Sequence, residues 1–321
     1  MNKNDLRIVF FGTPDFAVES LRRLVEGGYN IVGVVTMPDK PAGRGHKMLH
    51  SAVKQFALAH DLPLLQPVNL KDEDFVEQLR HLKAHLHIVI AFRMLPQVVW
   101  AMPPLGTFNL HASLLPKYRG AAPINWAVMN GDTRTGVTTF FLKQEIDTGD
   151  IIQQRAIDIA RTDNVGTVHD RLMVMGADMV IETVDAILAG TVKPIPQEQL
   201  LTGGEQPTPA PKIFTDTCRI DWQRPAEALY NHIRGLSPYP AAWTTLVDKK
   251  GNALKLKVFA TGEPLAAPAL KPGEALATGK QLFVGCADGT LEILSLQLAG
   301  HRRMTADEFL RGYNMDGCTL Q

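Results

Sequence analysis

A carboxamide and an imidazole stand two residues apart in a segment with the pattern of a strand end. Within residues 106–123, Asn109 and His111 alternate with the apolar Phe108 and Leu110. This period of two is typical of an extended strand, on which Asn109 and His111 point to the same side. The small residues that follow let the chain turn out of the sheet. Such a pair at a strand exit suits a site that holds an oxyanion and moves a proton.

A simpler interpretation of the same pair needs no chemistry. Asn109 would cap a turn, since polar residues favour turns, and His111 would be an interior histidine with satisfied ring nitrogens. For an isolated Asn-x-His this interpretation remains open. The nearby Ser113 is not predicted to be a nucleophile, because no Gly-x-Ser-x-Gly pattern surrounds it.

Four blocks of sequence carry a resemblance to a known family. Residues 109–124 resemble the active-site segment of the methionyl-tRNA formyltransferase family. Residues 11–17 resemble its opening segment, residues 38–45 its tRNA-facing loop, and residues 145–150 its catalytic aspartate segment. The blocks occur in the family's order, and the length of 321 residues fits a two-domain member.

The resemblance implies a reaction and a catalytic set. The reaction is transfer of the formyl group of 10-formyltetrahydrofolate to the free amino group of initiator methionyl-tRNA, which gives N-formylmethionyl-tRNA for translation initiation. The implied catalytic residues are Asn109, His111 and Asp147. Asn109 would hold the negative oxygen of a tetrahedral intermediate, and His111 or Asp147 would accept the proton of the attacking amine. The sequence leaves open which of the two is the base, and no metal is expected.

The resemblance also implies contacts with the folate. The residues after a predicted strand at 86–92 resemble one wall of the family's folate pocket, although Phe92 and Arg93 stand where the common form has Tyr-Gly. The residues expected to line the folate are Phe92, Met94, Leu95, Ser113, Leu114, Leu115 and Pro116. An ordinary place in the hydrophobic core is the alternative for Met94 and Leu95.

Residues 37–49 predict a polar loop rich in glycine and proline. Between residues 40 and 54 the basic side chains are unopposed by any acidic one; they are Lys40, Arg44, Lys47 and Lys54. Composition alone favours a solvated loop. By resemblance, the loop enters the acceptor stem of initiator tRNA and contacts it through Lys40, Arg44 and Lys47, with Arg44 the leading candidate.

The elements that must position these residues begin with a buried strand at residues 6–11. Thr13 is predicted to cap the helix that follows and Pro14 to start it, before a second strand at 31–36. Strand, helix and strand at this spacing predict an α/β fold with a doubly wound parallel sheet. The first turn lacks Gly-x-Gly-x-x-Gly, so the sheet is Rossmann-like without a dinucleotide site.

Further elements follow to about residue 195, where the composition changes. Helices are predicted near 50–60, 72–83, 123–130 and 164–188, strands at 137–142 and 151–159, and an acidic loop at 144–150. Residues 196–212 are rich in proline and small residues, which indicates a semi-extended linker. We therefore predict a catalytic domain at 1–204, which includes the linker from about 196, and a second domain at 205–321.

The second domain shows short strands separated by turns. They are predicted at 242–247, 254–260, 281–284 and 290–296. Such a pattern predicts a small β-barrel, and the resemblance specifies an OB-like barrel that binds tRNA. Residues 211–321 contain 13 basic and 11 acidic residues, so most charges there belong to a solvated face. The candidates for tRNA contacts are Lys255, Lys257, Arg302 and Arg303.

Composition limits the classes of function. Lys plus Arg and Asp plus Glu both number 33, so no global field attracts nucleic acid. The 3 cysteines lack paired spacing, and neither a signal peptide nor a membrane span is apparent. We expect a cytoplasmic protein and, by resemblance, a monomer. Other formyl-folate enzymes that act on small amines or sugars, or that hydrolyse formyl-folate, remain alternatives, as does a non-catalytic RNA-binding protein.

Overall fold

The structure is a computed structural model that describes residues 2–42, 47–201 and 206–321. The chain forms two compact units. The first comprises Met1–Gly120, Gly136–Ile157 and His169–Pro209, and the second comprises Ala121–Thr135, Asp158–Val168 and Ala210–Gln321. The predicted domain boundary near residue 205 falls within residues 202–205, outside the described residues.

The strands and helices alternate in the first half of the chain, whereas strands dominate the last third. The strands are β1 Arg7–Gly12, β2 Asn30–Val35, β3 Lys40–Ala42, β4 Lys47–Leu49, β5 Leu64–Leu65, β6 Leu86–Ile90, β7 Thr107–His111, β8 Arg119–Gly120, β9 Arg134–Phe141, β10 Ile151–Asp158, β11 Pro209–Ala210, β12 Ala242–Val247, β13 Ala253–Thr261, β14 Ala275–Thr278, β15 Gln281–Gly285, β16 Thr290–Leu298, β17 Met304–Thr305 and β18 Thr319–Leu320. The α-helices are α1 Asp15–Glu26, α2 Ala52–Ala59, α3 Glu73–His81, α4 Gln97–Trp100, α5 Pro123–Met129, α6 Val165–Leu188, α7 Ala226–Leu236 and α8 Ala306–Leu310. Short 3₁₀ helices cover Gln197–Leu200 and Asp216–Cys218.

A seven-stranded sheet organises the first unit, in the order β5-β2-β1-β6-β7-β9-β10. The pairs β2–β5, β1–β2, β1–β6 and β6–β7 are parallel, whereas β9 runs antiparallel to β7. The reversal of strand order around β1 confirms the predicted doubly wound sheet. Because β6 and β7 are parallel neighbours, the segments that follow Ile90 and His111 leave from the same edge of the sheet.

Apolar burial explains the central strands and the first helix. Every residue of β6 is buried, and Phe10 and Phe11 of β1 are among the largest side chains that are fully buried. α1 covers the sheet with Phe16, Leu21 and other apolar residues on one face. The predicted cap was wrong: Pro14 rather than Thr13 occupies the N-cap position of α1, and its side chain has no polar atom to accept a capping hydrogen bond.

Two other predicted boundaries change. The strand predicted at 86–92 ends at Ile90, so the following residues belong to the turn at the sheet edge. The predicted loop at 37–49 contains a β-hairpin, in which β3 and β4 pair antiparallel with Lys40 opposite Leu49 and Pro41 opposite Met48. Strands of three residues are too short to show an alternation of side chains, which explains why the sequence indicated only a loop.

The second unit contains the predicted β-barrel. Its strands pair in the order β14-β15-β16-β13-β12-β18, and β17 pairs with β16. An antiparallel bridge between Glu274 and Thr319 joins the two ends of this order, and Leu320 N–H donates to Gly273 O at 2.8 Å. The sheet therefore closes on itself, which removes the unpaired strand edges of an open sheet.

One helix packs on another within the second unit, beside the barrel. The Asn125 side chain of α5 donates to the Gly235 carbonyl of α7 at 2.8 Å. Apolar residues of α7, such as Leu229 and Ile233, share a buried cluster with barrel residues such as Leu256 and Leu296. Burial of that apolar surface is the main source of stability for this unit.

Candidate functional site

His111 ends β7 with a defined orientation of its ring. The residue is 7% exposed, and its Nε2 lies 2.7 Å from the carbonyl oxygen of Tyr118. A carbonyl can only accept, so Nε2 must donate the proton, and in the neutral ring Nδ1 carries the free lone pair. This Nδ1 lies 3.8 Å from Oδ2 of Asp147. The structure therefore brings the predicted imidazole and carboxylate together and identifies Nδ1 as the nitrogen that can accept a proton.

Asp147 lies in the loop between β9 and β10, which we call the Asp147 loop (residues 142–150). Its side chain is 15% exposed, and the Gly120 N–H donates to its Oδ2 at 2.8 Å. The backbone of Asp147 has φ = 55°, in the left-handed region that L residues rarely adopt. Such a conformation persists only where the surrounding contacts enforce it.

Gly149 makes the tight path of this loop possible. A Cβ atom at this position would lie 1.6 Å from the carbonyl oxygen of Phe141, so no other residue fits without moving the loop. Of the other acids in the segment, Asp150 accepts from Lys143 Nζ at 2.7 Å. The loop is thus folded against the end of β9 by a close backbone approach.

Gln197 holds the same loop and was missed by the sequence reasoning. Its side chain is fully buried, and its Nε2 donates to the carbonyl oxygens of Asp147 and Gly149, each at 2.8 Å. Arg119 donates to its Oε1 from Nε at 3.1 Å and from Nη2 at 2.7 Å. A single glutamine within a proline-rich segment carries no recognisable signal, and that segment was assigned to a linker.

Asn109 lies in β7 two residues before His111. It pairs in register with Val89 of β6 and Phe140 of β9, and it is half-buried. No hydrogen bond or ion pair links its carboxamide to another residue of the described chain. The amide N–H groups are therefore free to donate to a bound oxygen.

Residues 113–116 follow His111 and are fixed by buried hydrogen bonds. The Ser113 hydroxyl donates to the Lys117 carbonyl at 2.6 Å, and the Thr138 hydroxyl donates to the Ser113 carbonyl at 2.7 Å. Gln154 Nε2 donates to the carbonyl of Leu115 at 2.7 Å. Of the predicted folate-lining residues here, Ser113, Leu115 and Pro116 are buried and only Leu114 is half-exposed. The Ser113 hydroxyl is thus used in a hydrogen bond that fixes the backbone of this segment.

The predicted folate wall at 92–95 leaves the same sheet edge. Phe92 is half-buried against Phe11, with ring centroids 5.8 Å apart, and the Met94 side chain is 70% exposed. Leu95 is 6% exposed and belongs to a core cluster, as the alternative interpretation anticipated. Arg93 donates to the Val68 carbonyl at 2.7 Å and also to the Pro67 carbonyl, so it braces this wall.

The β3–β4 hairpin has a polar base and an exposed surface. Lys40 is exposed, whereas Arg44 and the side chain of Lys47 lie outside what the structure describes. Lys54, which composition grouped with them, belongs to α2 and donates to Asp39 Oδ2 at 2.5 Å and to Gln66 Oε1 at 2.9 Å. Its charge is therefore paired with a carboxylate.

The basic candidates of the barrel differ in their surroundings. Lys255 Nζ lies 4.1 Å from the centroid of the Trp243 ring, and the Arg303 guanidinium lies 4.3 Å from that of Phe259. Arg302 is engaged with Glu308 at 2.8 Å. Lys257 stands opposite Trp243 in the β12–β13 register. Cations on aromatic faces present a surface suited to backbone phosphates and bases.

His87, a second buried histidine, differs from His111 in the contacts of its ring nitrogens. His87 in β6 is fully buried, and neither ring nitrogen has a hydrogen-bond partner among the described residues. Burial lowers the pKa of His87 to about 3, so its ring stays neutral at physiological pH. His111 has a carbonyl on one nitrogen and a carboxylate facing the other. Of these two histidines, His111 is the one whose contacts suit proton exchange.

Residues 2–42, 47–201 and 206–321 form neither a metal centre nor a membrane-spanning helix. No group of three or more His, Cys, Asp or Glu side chains there is arranged to hold a metal ion. None of the helices in these ranges has the length and apolar character needed to cross a membrane.

Comparison with known families gives two matches along the chain. Residues 6–184 match the formyl transferase family, and residues 212–314 match the formyl transferase C-terminal domain. The Asn109, His111 and Asp147 side chains fall within the first match.

Individual relatives cover nearly the whole chain. The methionyl-tRNA formyltransferase of Bacteroides fragilis is 63% identical over 316 residues, which is 98% of this chain and 97% of the relative. The methionyl-tRNA formyltransferase of Bacteroides thetaiotaomicron is 62% identical over 316 residues, with 98% of each chain covered. Among solved structures, HypX from Aquifex aeolicus in complex with tetrahydrofolic acid has a TM-score of 0.63 at 20% identity, covering 95% of this chain and 46% of that one. This last likeness concerns the fold.

Proposed function

This chain belongs to the methionyl-tRNA formyltransferase family, and from that premise we propose that it transfers the formyl group of 10-formyltetrahydrofolate to the amino group of initiator methionyl-tRNA. The observation that carries the proposal is the 3.8 Å distance between His111 Nδ1 and Asp147 Oδ2. Asn109, two residues before His111 in β7, has a carboxamide without a hydrogen-bond partner among the described residues. The identity of the acceptor rests on full-length relatives named for it.

Proton transfer is assigned to His111. The attacking amine becomes positively charged as its nitrogen bonds to the formyl carbon, and it must release a proton. Nδ1 of His111 is available to receive it, because Nε2 already donates to the Tyr118 carbonyl. The imidazolium that forms faces the Asp147 carboxylate, which stabilises its charge. We therefore propose His111 as the base and Asp147 as its electrostatic partner.

Asn109 is assigned to the developing oxyanion. When the amine attacks, the formyl oxygen takes up negative charge, and an N–H donor in a water-poor site stabilises that charge. Collapse of the tetrahedral intermediate breaks the bond between the formyl carbon and the folate nitrogen. The proton held by His111 passes to that leaving nitrogen, so protons and electron pairs balance and the enzyme is regenerated.

The folate and the tRNA are assigned to different regions of the chain. The folate would lie against the two segments that leave the sheet edge after β6 and β7. Three of the predicted lining residues have exposed or partly exposed side chains that could contact it: Phe92, Met94 and Leu114. The other four are buried and would support these segments: Leu95, Ser113, Leu115 and Pro116. The tRNA would contact the β3–β4 hairpin through Lys40 and Lys47, with Arg44 included on the sequence alone. Lys255, Lys257 and Arg303 of the barrel are proposed to bind tRNA phosphates.

Other features of the proposal follow from the family. We propose a catalytic domain at residues 1–204 and a tRNA-binding domain at 205–321, with the protein acting as a monomer in the cytoplasm. Equilibrium sedimentation at several protein concentrations tests the monomer: a molecular mass near the 35.3 kDa of one chain is expected, and a mass twice as large contradicts it.

One incubation series tests the reaction. The full-length protein is mixed with 10-formyltetrahydrofolate and charged initiator tRNA, and N-formylmethionine is measured after deacylation of the tRNA. Parallel reactions contain uncharged tRNA, a small amine or no acceptor. We expect product only with charged initiator tRNA. Formylation of the small amine, or release of formate without acceptor, would instead favour one of the other formyl-folate enzymes.

A further inference from the structure

Three consecutive residues organise the predicted catalytic pair. The Tyr118 carbonyl accepts from His111 Nε2 at 2.7 Å, and the Gly120 N–H donates to Asp147 Oδ2 at 2.8 Å. Between them, the Arg119 side chain donates twice to Oε1 of Gln197. The segment that orients both catalytic side chains is therefore joined directly to Gln197.

Gln197 in turn determines the path of the Asp147 loop. Its amide nitrogen donates to the carbonyl oxygens of Asp147 and Gly149, and its oxygen accepts both bonds from Arg119. All four hydrogen-bonding positions of the carboxamide are used, in a side chain with no solvent exposure. A fully satisfied buried amide specifies one geometry, because any displacement leaves a buried polar group unpaired.

The loop needs such a restraint because its conformation is unfavourable. Asp147 has φ = 55°, which an L residue adopts only when neighbouring contacts favour it. One of those contacts is made by Gln197 to the carbonyl of Asp147 itself. We infer that Gln197 is a positioning residue, which keeps the Asp147 carboxylate facing His111 during formyl transfer. This inference rests on the proposed function, and it extends the catalytic arrangement into the segment predicted to be a linker.

Replacement of the amide by an apolar group of similar size isolates this role. In Gln197→Leu, two loop carbonyls and Arg119 lose their partners, and Asp147 loses its restraint. We expect kcat to fall about 100-fold, since a displacement of about 1 Å near the reacting groups has an effect of this size. The KM values for charged tRNA and for formyl-folate stay within about twofold, because the proposed substrate contacts lie elsewhere.

Gln199 provides a matched control in the same 3₁₀ helix. Its side chain is exposed, so Gln199→Leu makes the same chemical change without touching the loop. We expect this variant to retain the wild-type kcat and both KM values. The milder Gln197→Asn variant, whose amide is one methylene short of the two carbonyls, covers the case in which Gln197→Leu does not fold; it is expected to lose an intermediate part of kcat.

A double variant distinguishes positioning from general structural support. If Gln197 acts through Asp147, then Gln197→Leu lowers kcat little further in the Asp147→Asn protein, because the carboxylate that it positions is already gone. A structural role predicts that the two losses multiply, and that result overturns the inference. A kcat for Gln197→Leu or Gln197→Asn within threefold of an active wild type also overturns it. A wild-type protein that does not formylate charged tRNA overturns the proposed function instead.

Discussion

Two segments that leave the central sheet, the Asp147 loop and the β3–β4 hairpin, are each restrained by a glutamine side chain. The two glutamines act on different parts of their segments. Gln197 binds two carbonyls within the Asp147 loop, so the restraint acts on the segment that carries the carboxylate. Gln66 binds the Met37 carbonyl and the Asp39 carboxylate, so it acts only at the base of the β3–β4 hairpin. Gln197 therefore positions one side chain, the Asp147 carboxylate, whereas Gln66 sets the direction of the whole β3–β4 hairpin.

The exposed residues of the hairpin support this contrast. Met48 is 54% exposed and Leu49 is 60% exposed, so the described part of β4 does not pack into a core. Its direction depends on the base, where Lys54 joins Asp39 to Gln66 and the Thr36 and Ser51 hydroxyls lie 2.8 Å apart. Isolated two-stranded hairpins are marginally stable, so this polar base has a large influence on where the strands point. We therefore expect loop variants to alter kcat and hairpin variants to alter KM for tRNA.

The largest effect is expected at the carboxylate itself. Asp147→Asn keeps an oxygen for the Gly120 N–H but removes the charge that faces His111 Nδ1. We expect kcat to fall by about 10²–10⁴, the range for loss of assisted proton transfer, with KM for charged tRNA nearly unchanged. Steady-state kinetics with each substrate varied in turn measures both.

Asp150→Asn is the matched control for this change. Asp150 lies in the same loop, but its carboxylate is paired with Lys143 at the surface. Its kcat should equal that of the wild type. Near-normal turnover of Asp147→Asn would show that the carboxylate takes no part in the reaction. It would also contradict the expectation that variants of the Asp147 loop lower kcat.

Asn109→Ala tests the proposed oxyanion contact. Removal of one such donor lowers kcat by about 10²–10³, because the developing charge then lacks its preorganised partner. The half-buried position of Asn109, without any described hydrogen bond, argues that the fold itself tolerates the change. Thermal unfolding should show a similar midpoint, and a kcat within threefold of the wild type would contradict the assignment.

Lys54→Met tests the hairpin side of the comparison. The Lys54 and Asp39 side chains are only 13% and 19% exposed, so the variant leaves a largely buried carboxylate without its cation. We expect KM for charged tRNA to rise about tenfold through misdirection of the strands, while kcat and KM for formyl-folate hold.

Two further variants serve as controls for the KM of Lys54→Met. Lys54→Arg, which retains the positive charge, should recover most of the affinity for charged tRNA. Lys71→Met removes a lysine exposed to solvent in the same unit and should have no effect. An unchanged KM for tRNA in Lys54→Met would show that the base of the hairpin does not direct tRNA binding.

The smallest expected effect is a pH dependence of stability. Hydrogen bonds from Lys54 and then Gln66 hold the pKa of Asp39 below its usual value of 3.8. A carboxyl whose pKa is lower in the folded state stabilises the fold above the unfolded pKa, and this contribution is lost as pH falls through the folded pKa. The difference in unfolding free energy between the wild type and Asp39→Asn should therefore shrink from pH 7 towards pH 3. Denaturant titrations at several pH values measure it, and a constant difference would contradict the assigned cause.

The sequence predicted the elements with clear periodicity and the site residues that they carry. Asn109 and His111 share a face of β7, which alternation alone indicated, and the doubly wound order follows from strand–helix–strand spacing. The partnership of His111 with Asp147 came from family resemblance, because no local pattern relates the end of β7 to the loop that follows β9. The roles of individual residues within the site stay predictions.

The contacts that hold the site were not predictable in the same way. Gln197 makes its bonds to backbone atoms that are distant in sequence, and its neighbours have the composition of a linker. Lys54 was grouped with the basic loop by counting charges, although Ser51 is an N-cap residue that places Lys54 within α2. Backbone-directed hydrogen bonds leave little trace in composition, because any residue supplies the carbonyl.

The place of Gln197 in the chain has a consequence for truncation. The region that matches the formyl transferase family ends at residue 184 and already contains Asn109, His111 and Asp147. A fragment that ends at residue 184 would keep the three proposed catalytic side chains. It would lack Gln197, whose amide restrains the Asp147 loop. Any fragment that catalyses the reaction efficiently should therefore extend past residue 184, at least through the 3₁₀ helix that ends at Leu200.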